Sequence, residues 1–80
     1  MSLAYVLTIS NPGYETNIAS ALLKYPCVEN VHVLFGEYDL IVKVRCKNEL
    51  DLKNFIISRI MKIQGVKDTR TLIVADELKK

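Results

Sequence analysis

The middle of the chain, from residue 34 to residue 44, reads Leu34-Phe35-Gly36-Glu37-Tyr38-Asp39-Leu40-Ile41-Val42-Lys43-Val44. Apolar and β-branched residues alternate on either side of Gly36, a pattern typical of two strands joined by a hairpin. Glycine tolerates the positive φ that tight hairpin turns often require. We therefore predict strands over Val28 to Phe35 and Tyr38 to Cys46. A polar corner held by strands at both ends is suited to the recognition of a ligand.

The chain before the hairpin predicts one strand and one helix. Leu3 to Ser10 alternates like a strand, with apolar residues on both faces. A helical apolar stripe follows, from Pro12 or Tyr14 to Lys24. Pro26 ends the helix because the residue before a proline disfavours helical backbone angles.

The chain after the hairpin repeats this arrangement. Asn48 is expected to cap a second helix, and Gly65 is expected to end it in a left-handed conformation. Val66 to Ala75, rich in β-branched residues, predicts the last strand. The order βαββαβ predicts a single α+β domain over residues 1–80, in which a four-stranded antiparallel sheet carries two helices on one face.

A sheet covered on one face leaves its other face open. The alternation leaves Val6, Leu34 and Ile41, or their neighbours, uncovered, and an exposed apolar face marks an interface. We therefore predict a homodimer that pairs through sheet faces or edges, in preference to a monomer with scattered apolar residues.

Composition and net charge indicate which kinds of partner and which cellular location to expect. The chain has 80 residues, 50% of them hydrophobic, and a net charge of +2. That charge is too small to indicate nucleic acid as the main partner. The N-terminus lacks a signal-peptide pattern, and no apolar run is long enough to cross a membrane. The expectation is a cytoplasmic protein.

Catalytic and metal-binding groups are scarce in this sequence. His32 is the single histidine, with no acidic or cysteine partner at a ligand spacing. Ser10 and Ser58 have no nearby base. Cys27 and Cys46 match no zinc, redox or haem motif, so we expect reduced thiols. The sequence predicts neither an enzyme nor a site for a metal or cofactor.

The hairpin corner offers binding chemistry. Backbone N–H groups around Gly36 can meet a carboxylate, and Asp39 can accept hydrogen bonds from an ammonium group, which together match an α-amino acid. Thr69 and Thr71 on the last strand add hydroxyls that can approach the hairpin of a neighbouring subunit. A second interpretation stays open: the hairpin is only a good turn, and the threonines only favour strands.

Three motifs, in this order and spacing, resemble a known family. They are Pro26-x-Val28, Gly36-x-Tyr38-Asp39-Leu40 and Gly65-Val66-x-x-Thr69-x-Thr71. From about Ala4 to Ala75, the chain resembles the effector-binding domain of the Lrp/AsnC (leucine-responsive, feast/famine) transcription regulators, also called the RAM domain. The resemblance implies a ferredoxin-like fold, dimers that pair through their sheets, and assembly into octamers or decamers.

The resemblance also implies a ligand site between subunits. Gly36, Tyr38 and Asp39 match the hairpin half of that site, and Thr69 and Thr71 match the strand half, which another subunit supplies. The effector is an amino acid or a related metabolite. Full regulators carry an N-terminal helix-turn-helix domain, whereas this chain begins at the first strand. It therefore looks like a stand-alone effector domain that does not bind DNA directly.

Three functions are compatible with the sequence. The first is an amino-acid or metabolite sensor that oligomerises and modulates transcription by co-assembly with full-length regulators. The second is a purely structural oligomerisation module without a ligand. The third is an enzyme of the dimeric α+β-barrel kind, which the isolated His32 disfavours. The ACT-type amino-acid-binding domain has a similar topology, but the Gly36-x-Tyr38-Asp39 hairpin favours the RAM interpretation.

Overall fold

A computed structural model describes residues 1–80. The elements follow the predicted order, with one short 3₁₀ turn added after the second helix. Their bounds are β1 Ser2–Ser10, α1 Glu15–Leu22, β2 Val28–Val33, β3 Leu40–Cys46, α2 Glu49–Ser58, the 3₁₀ turn Ile60–Lys62, and β4 Val66–Ile73.

The strands form one four-stranded sheet in the order β2-β3-β1-β4, and β1 pairs antiparallel with both β3 and β4. The core lies between one face of this sheet and the two helices. Ile18 from α1 and Ile56 from α2 belong to the same buried cluster as Val6, Val42 and Val44 from the central strands. This is the ferredoxin-like arrangement, and the predicted fold is confirmed.

The two faces of β1 are both apolar, but only one of them meets the helices. Ala4, Val6 and Thr8 are completely buried. Val6 therefore belongs to the core, and of the two predicted alternatives its neighbours Tyr5 and Leu7 are the residues on the open face. Leu7 is half-buried on the open face and lies opposite Ile41 of β3. The sequence left this choice unresolved because residues of both parities along β1 are apolar.

The second helix begins as predicted but ends earlier than predicted. The side chain of Asn48 accepts a hydrogen bond of 2.8 Å from the backbone N–H of Asp51, so Asn48 is the N-cap of α2. Gly65 has a φ of +97°, in the left-handed region as predicted. It does not end the helix, however, because α2 ends at Ser58 and the 3₁₀ turn lies between them.

Helix α1 is shorter than predicted at both ends. Residues 11–14 form a turn, in which the N–H of Tyr14 donates to the carbonyl of Asn11. At the other end α1 stops at Leu22, and the N–H of Lys24 donates to the carbonyl of Ala21, three residues back.

The central hairpin has a longer loop than the sequence indicated. Strand β2 ends at Val33 and β3 begins at Leu40, so Phe35 and Tyr38 lie outside the strands predicted for them. The N–H of Leu34 donates to the carbonyl of Asp39 over 2.8 Å and closes a loop around residues 35–38. Within it, Gly36 has a φ of +142°, which a residue with a side chain rarely adopts.

Candidate functional site

The hairpin loop presents unpaired backbone donors. None of residues 35–38 donates its backbone N–H to another group of the chain. Gly36 is exposed and Tyr38 is half-buried, so the loop is open on one side and packed on the other. Backbone N–H groups that are free and closely spaced are suited to binding a carboxylate.

Asp39 fastens this loop to the central strand. Its carboxylate Oδ2 accepts a hydrogen bond of 2.8 Å from the backbone N–H of Ser10, and its own N–H donates to the carbonyl of Thr8 over 2.9 Å. The side chain thus takes the place of a strand partner at the end of β1. Its second oxygen, Oδ1, forms no hydrogen bond within the chain, which leaves an acceptor for a ligand.

Thr69 and Thr71 lie on β4, at the edge of the sheet. They pair with Thr8 and Val6 of β1, so their side chains point to the face that the helices cover. Both line a groove of about 260 Å³ between β4 and α2. The other residues along this groove are mostly apolar: Lys53, Ile56, Ile57, Met61 and Ile73.

A single chain does not bring the two predicted halves together. Leu40, next to Asp39, and Thr69 flank Thr8 on opposite sides. Their backbones therefore stand two strand spacings apart, about 10 Å. None of the hairpin residues lines the groove beside Thr69 and Thr71.

Sequence reasoning missed several residues of this region. Ile57 and Met61 are 59% and 51% exposed, respectively. They lie four positions apart in the sequence, so two apolar residues at helical spacing outside the predicted core stripe were the available signal. Phe35, at the tip of the hairpin loop, was assigned to β2 but is fully exposed, and an aromatic side chain in that position is suited to contact with another molecule.

The hydroxyl and thiol groups show no nucleophile with a base beside it. The Ser10 hydroxyl is buried without a hydrogen-bond partner, and that of Ser58 donates to the carbonyl of Asn54. His32 is exposed on the open sheet face opposite Ile41. Burial, together with the neighbouring Cys27, raises the pKa of Cys46 to about 11, so this thiol stays protonated at neutral pH.

The chain shows no grouping of three or more metal-ligating side chains. None of its helices is long and apolar enough to cross a membrane. The largest cleft lies between α1 and the end of α2, and none of the five predicted site residues lines it.

Known proteins share both the sequence pattern and the fold. Residues 4–80 match the family model described as the Lrp/AsnC ligand binding domain. The chain is 40% identical over 72 residues to the HTH-type transcriptional regulator FL11 of Pyrococcus furiosus, a match that covers 90% of this chain and 47% of that protein. The chain thus spans about half the length of this curated relative.

Two solved structures illustrate the likeness in three dimensions. The hypothetical protein PHS023 from Pyrococcus horikoshii has a TM-score of 0.90 and 38% identity, covering 96% of this chain and 93% of that one. The complex of the transcriptional regulator NMB0573 with L-Met from Neisseria meningitidis has a TM-score of 0.89 and 20% identity, covering 99% and 53%. At that identity the second likeness shows the fold alone.

Proposed function

The chain belongs to the family of Lrp/AsnC ligand-binding domains, and on that premise we propose that it is a regulatory domain that binds an amino acid or a related metabolite between subunits. In this proposal the domain oligomerises and modulates transcription by co-assembly with full-length regulators. Its relatives are named as transcriptional regulators, which supports this setting.

The main support for this proposal is that the two halves of the predicted site, the hairpin and the groove beside β4, lie apart in one chain. The hairpin has free backbone N–H groups and one free oxygen of Asp39, and the groove beside β4 has the Thr69 and Thr71 hydroxyls above an apolar floor. They lie about two strand spacings apart in one chain. A second copy that places its β4 groove against this hairpin brings donor, acceptor and apolar surface around one small ligand.

The chemistry of the half-sites fits an α-amino acid. The loop N–H groups at Gly36 and Tyr38 face the carboxylate, and Oδ1 of Asp39 faces the ammonium group. The groove lined by Ile57 and Met61 takes an apolar side chain. The Neisseria regulator was solved with L-Met, and we extend amino-acid binding from it to this chain as part of the proposal.

We propose a homodimer as the basic unit, which assembles further into an octamer or decamer. The open face of the sheet supports pairing, because Tyr5, Leu7, Ile9 and Ile41 form a half-buried apolar surface there. We propose a cytoplasmic, non-enzymatic role, in keeping with relatives named as transcriptional regulators. Direct contact with DNA is assigned to the full-length partner, because both helices of this chain are packed on the sheet.

One observation favours a second candidate, a structural oligomerisation module without a ligand. The hydrogen bond from the Ser10 N–H gives Asp39 a purely structural task, which accounts for this carboxylate without any effector.

Thermal melts with each common amino acid distinguish the two candidates. We expect at least one amino acid to raise the melting temperature by about 5 °C or more at saturating concentration. Asp39→Asn should abolish this shift, because a neutral amide does not pair with an ammonium group. The amide oxygen still accepts from the Ser10 N–H, so the free variant should melt near the wild-type temperature.

Asp76→Asn is the matched control, because it removes one exposed carboxylate far from the hairpin in sequence. It should leave the ligand-induced shift intact. Light scattering with and without the amino acid measures the assembly. If no amino acid shifts the wild type while assembly is normal, the sensor proposal is wrong and the structural module remains.

A further inference from the structure

A second cleft lies on the helical side of the molecule, apart from both halves of the proposed effector site. Its volume is about 550 Å³, within the range typical of pockets for small molecules. It forms where α1 and the following turn meet the end of α2 and the 3₁₀ turn. It shares no lining residue with the groove beside Thr69 and Thr71.

The charge of this cleft is positive and uncompensated. Arg59 and Lys62 line it, and no carboxylate does. The four ion pairs of the chain use Lys43, Arg45 and Lys53 as cations, so neither Arg59 nor Lys62 has an acidic partner. Their side chains donate no hydrogen bond within the chain either. The two cations therefore retain their full capacity for an anion.

The backbone holds these two cations on one turn. The N–H of Arg59 donates to the carbonyl of Phe55 over 2.9 Å, and the N–H of Lys62 donates to the carbonyl of Arg59 over 3.2 Å. Ile60 lies between them and is completely buried, which anchors the turn in the core. The stems of both cations thus start from fixed positions.

The aromatic walls of the cleft are also fixed. The ring of Tyr14 packs directly on Gly65, so close that no β-carbon fits between them. Tyr25 packs edge-to-face against Phe55, with ring centroids 5.1 Å apart and an interplanar angle of 76°. A cleft with such preformed walls binds a ligand at a low cost in lost side-chain freedom.

We propose that this cleft binds a small organic phosphate. A phosphate monoester carries a charge of about −2 at neutral pH, which matches the two unpaired cations. The planar guanidinium of Arg59 can hold two phosphate oxygens, and the ammonium of Lys62 adds a point charge. Tyr14, Ala21 and Ile63 supply apolar surface for the organic part.

Titration calorimetry at low ionic strength tests this proposal, with adenosine 5′-monophosphate as the probe. Adenosine and inorganic phosphate serve as partial probes. We expect the monophosphate to bind more tightly than either, because only it engages both the cations and the apolar walls. Arg59→Gln and Lys62→Gln should each weaken binding by about tenfold, the usual effect of losing one charge-assisted hydrogen bond. If inorganic phosphate binds as tightly as the monophosphate, the organic part of the ligand contributes nothing to the affinity and the proposal is wrong.

Two further variants locate the site. Asn17→Trp adds a large side chain to the exposed α1 side of the cleft and should abolish binding while leaving both cations in place. Lys47→Gln removes an exposed cation outside the cleft and should leave binding unchanged.

Three other results would overturn the proposal. The first is no measurable heat at about 10 mM probe. The second is an equal weakening of binding by Lys47→Gln, which indicates diffuse charge attraction. The third is full binding by Asn17→Trp. Unchanged binding in both Arg59→Gln and Lys62→Gln would overturn the proposal as well, because the two cations would then take no part in the site. Circular dichroism checks that each variant is folded. If one variant is unfolded, the binding measured with the other variants tests the proposal.

Discussion

At the scale of single residues, Gly65 has two separate reasons to be glycine. Its φ of +97° lies in the left-handed region, and a β-carbon there would overlap the Cβ, Cγ and Cδ1 atoms of Tyr14. Gly13 has a similar φ of +88° but no atom within 4 Å of a β-carbon. The two glycines therefore separate backbone strain from steric overlap.

We predict that Gly65→Ala destabilises the protein more than Gly13→Ala. The control variant should lose about 1 kcal/mol from backbone strain. Gly65→Ala should lose about 2–4 kcal/mol, because overpacking against Tyr14 adds to the same strain. Urea unfolding measures both. Equal losses of unfolding free energy in the two variants would mean that Tyr14 moves aside without cost. In a Tyr14→Ala background, we expect the difference in stability between the two glycine variants to disappear.

Asp39 illustrates how one residue can serve fold and function together. The structure gives its carboxylate a bond to the N–H of Ser10, a residue 29 positions away in sequence. Substitution by alanine would remove this bond and the proposed ammonium partner at once. Only the asparagine variant separates the two roles, because it keeps the acceptor and removes the charge.

At the scale of elements, Arg45 of β3 joins three segments of the chain. It pairs with Glu29 of β2 over 2.7 Å and with Glu77 of the C-terminal tail over 3.2 Å. The hydrogen bonds from Arg45 are the main cause that lowers the pKa of Glu29 and of Glu77 below their ordinary value of 4.5. Both carboxylates are exposed, so each pair contributes little by itself.

The lowered pKa values predict how stability changes with acid. A carboxyl whose pKa is lower in the folded state stabilises the fold above the unfolded pKa and loses that contribution as pH falls through the folded value. Melting temperature should therefore drop in acid, below about pH 4.5. Arg45→Gln should make this drop shallower, since both carboxylates lose the partner that lowers their pKa.

Arg59→Gln is the control for this measurement, because it removes an arginine that has no ion pair. Its acid profile should match that of the wild type. Added salt should reduce the difference between wild type and Arg45→Gln, because exposed pairs are screened. An identical profile for Arg45→Gln would show that this network does not contribute to the acid dependence.

At the scale of the whole molecule, the chain exposes more surface than its size requires. Its accessible surface is 5546 Å², and only 15 of 80 residues are buried. A compact monomer of 9.1 kDa exposes about 4,900 Å². The excess agrees with a flat shape of 35 × 27 × 19 Å, in which one sheet face has no layer of its own.

The open face should therefore control self-association. Ile41 lies at its centre, opposite Leu7 on one side and His32 on the other. Ile41→Glu would bury a carboxylate in the proposed interface, so we expect the particle mass in light scattering to fall towards that of a monomer. Leu50→Glu places the same charge on an exposed residue of α2 and should leave the mass unchanged. An unchanged mass for Ile41→Glu would rule out this face as the interface.

Local patterns in the sequence determined the order of the elements, the cap at Asn48, the left-handed Gly65 and the residues proposed for the site, because each signal lies within a few neighbouring positions. Only the tertiary structure decided which face of β1 is buried. Both faces are apolar, and the buried one is the face on which the helices pack. Tertiary contacts also shape the Gly36 hairpin, where the carboxylate of Asp39 accepts from the Ser10 N–H just beyond the last β1–β3 pair, Thr8 and Leu40. The pairing of β4 with the other edge of β1 places Thr69 and Thr71 two strands away from this hairpin, a separation that no local pattern encodes.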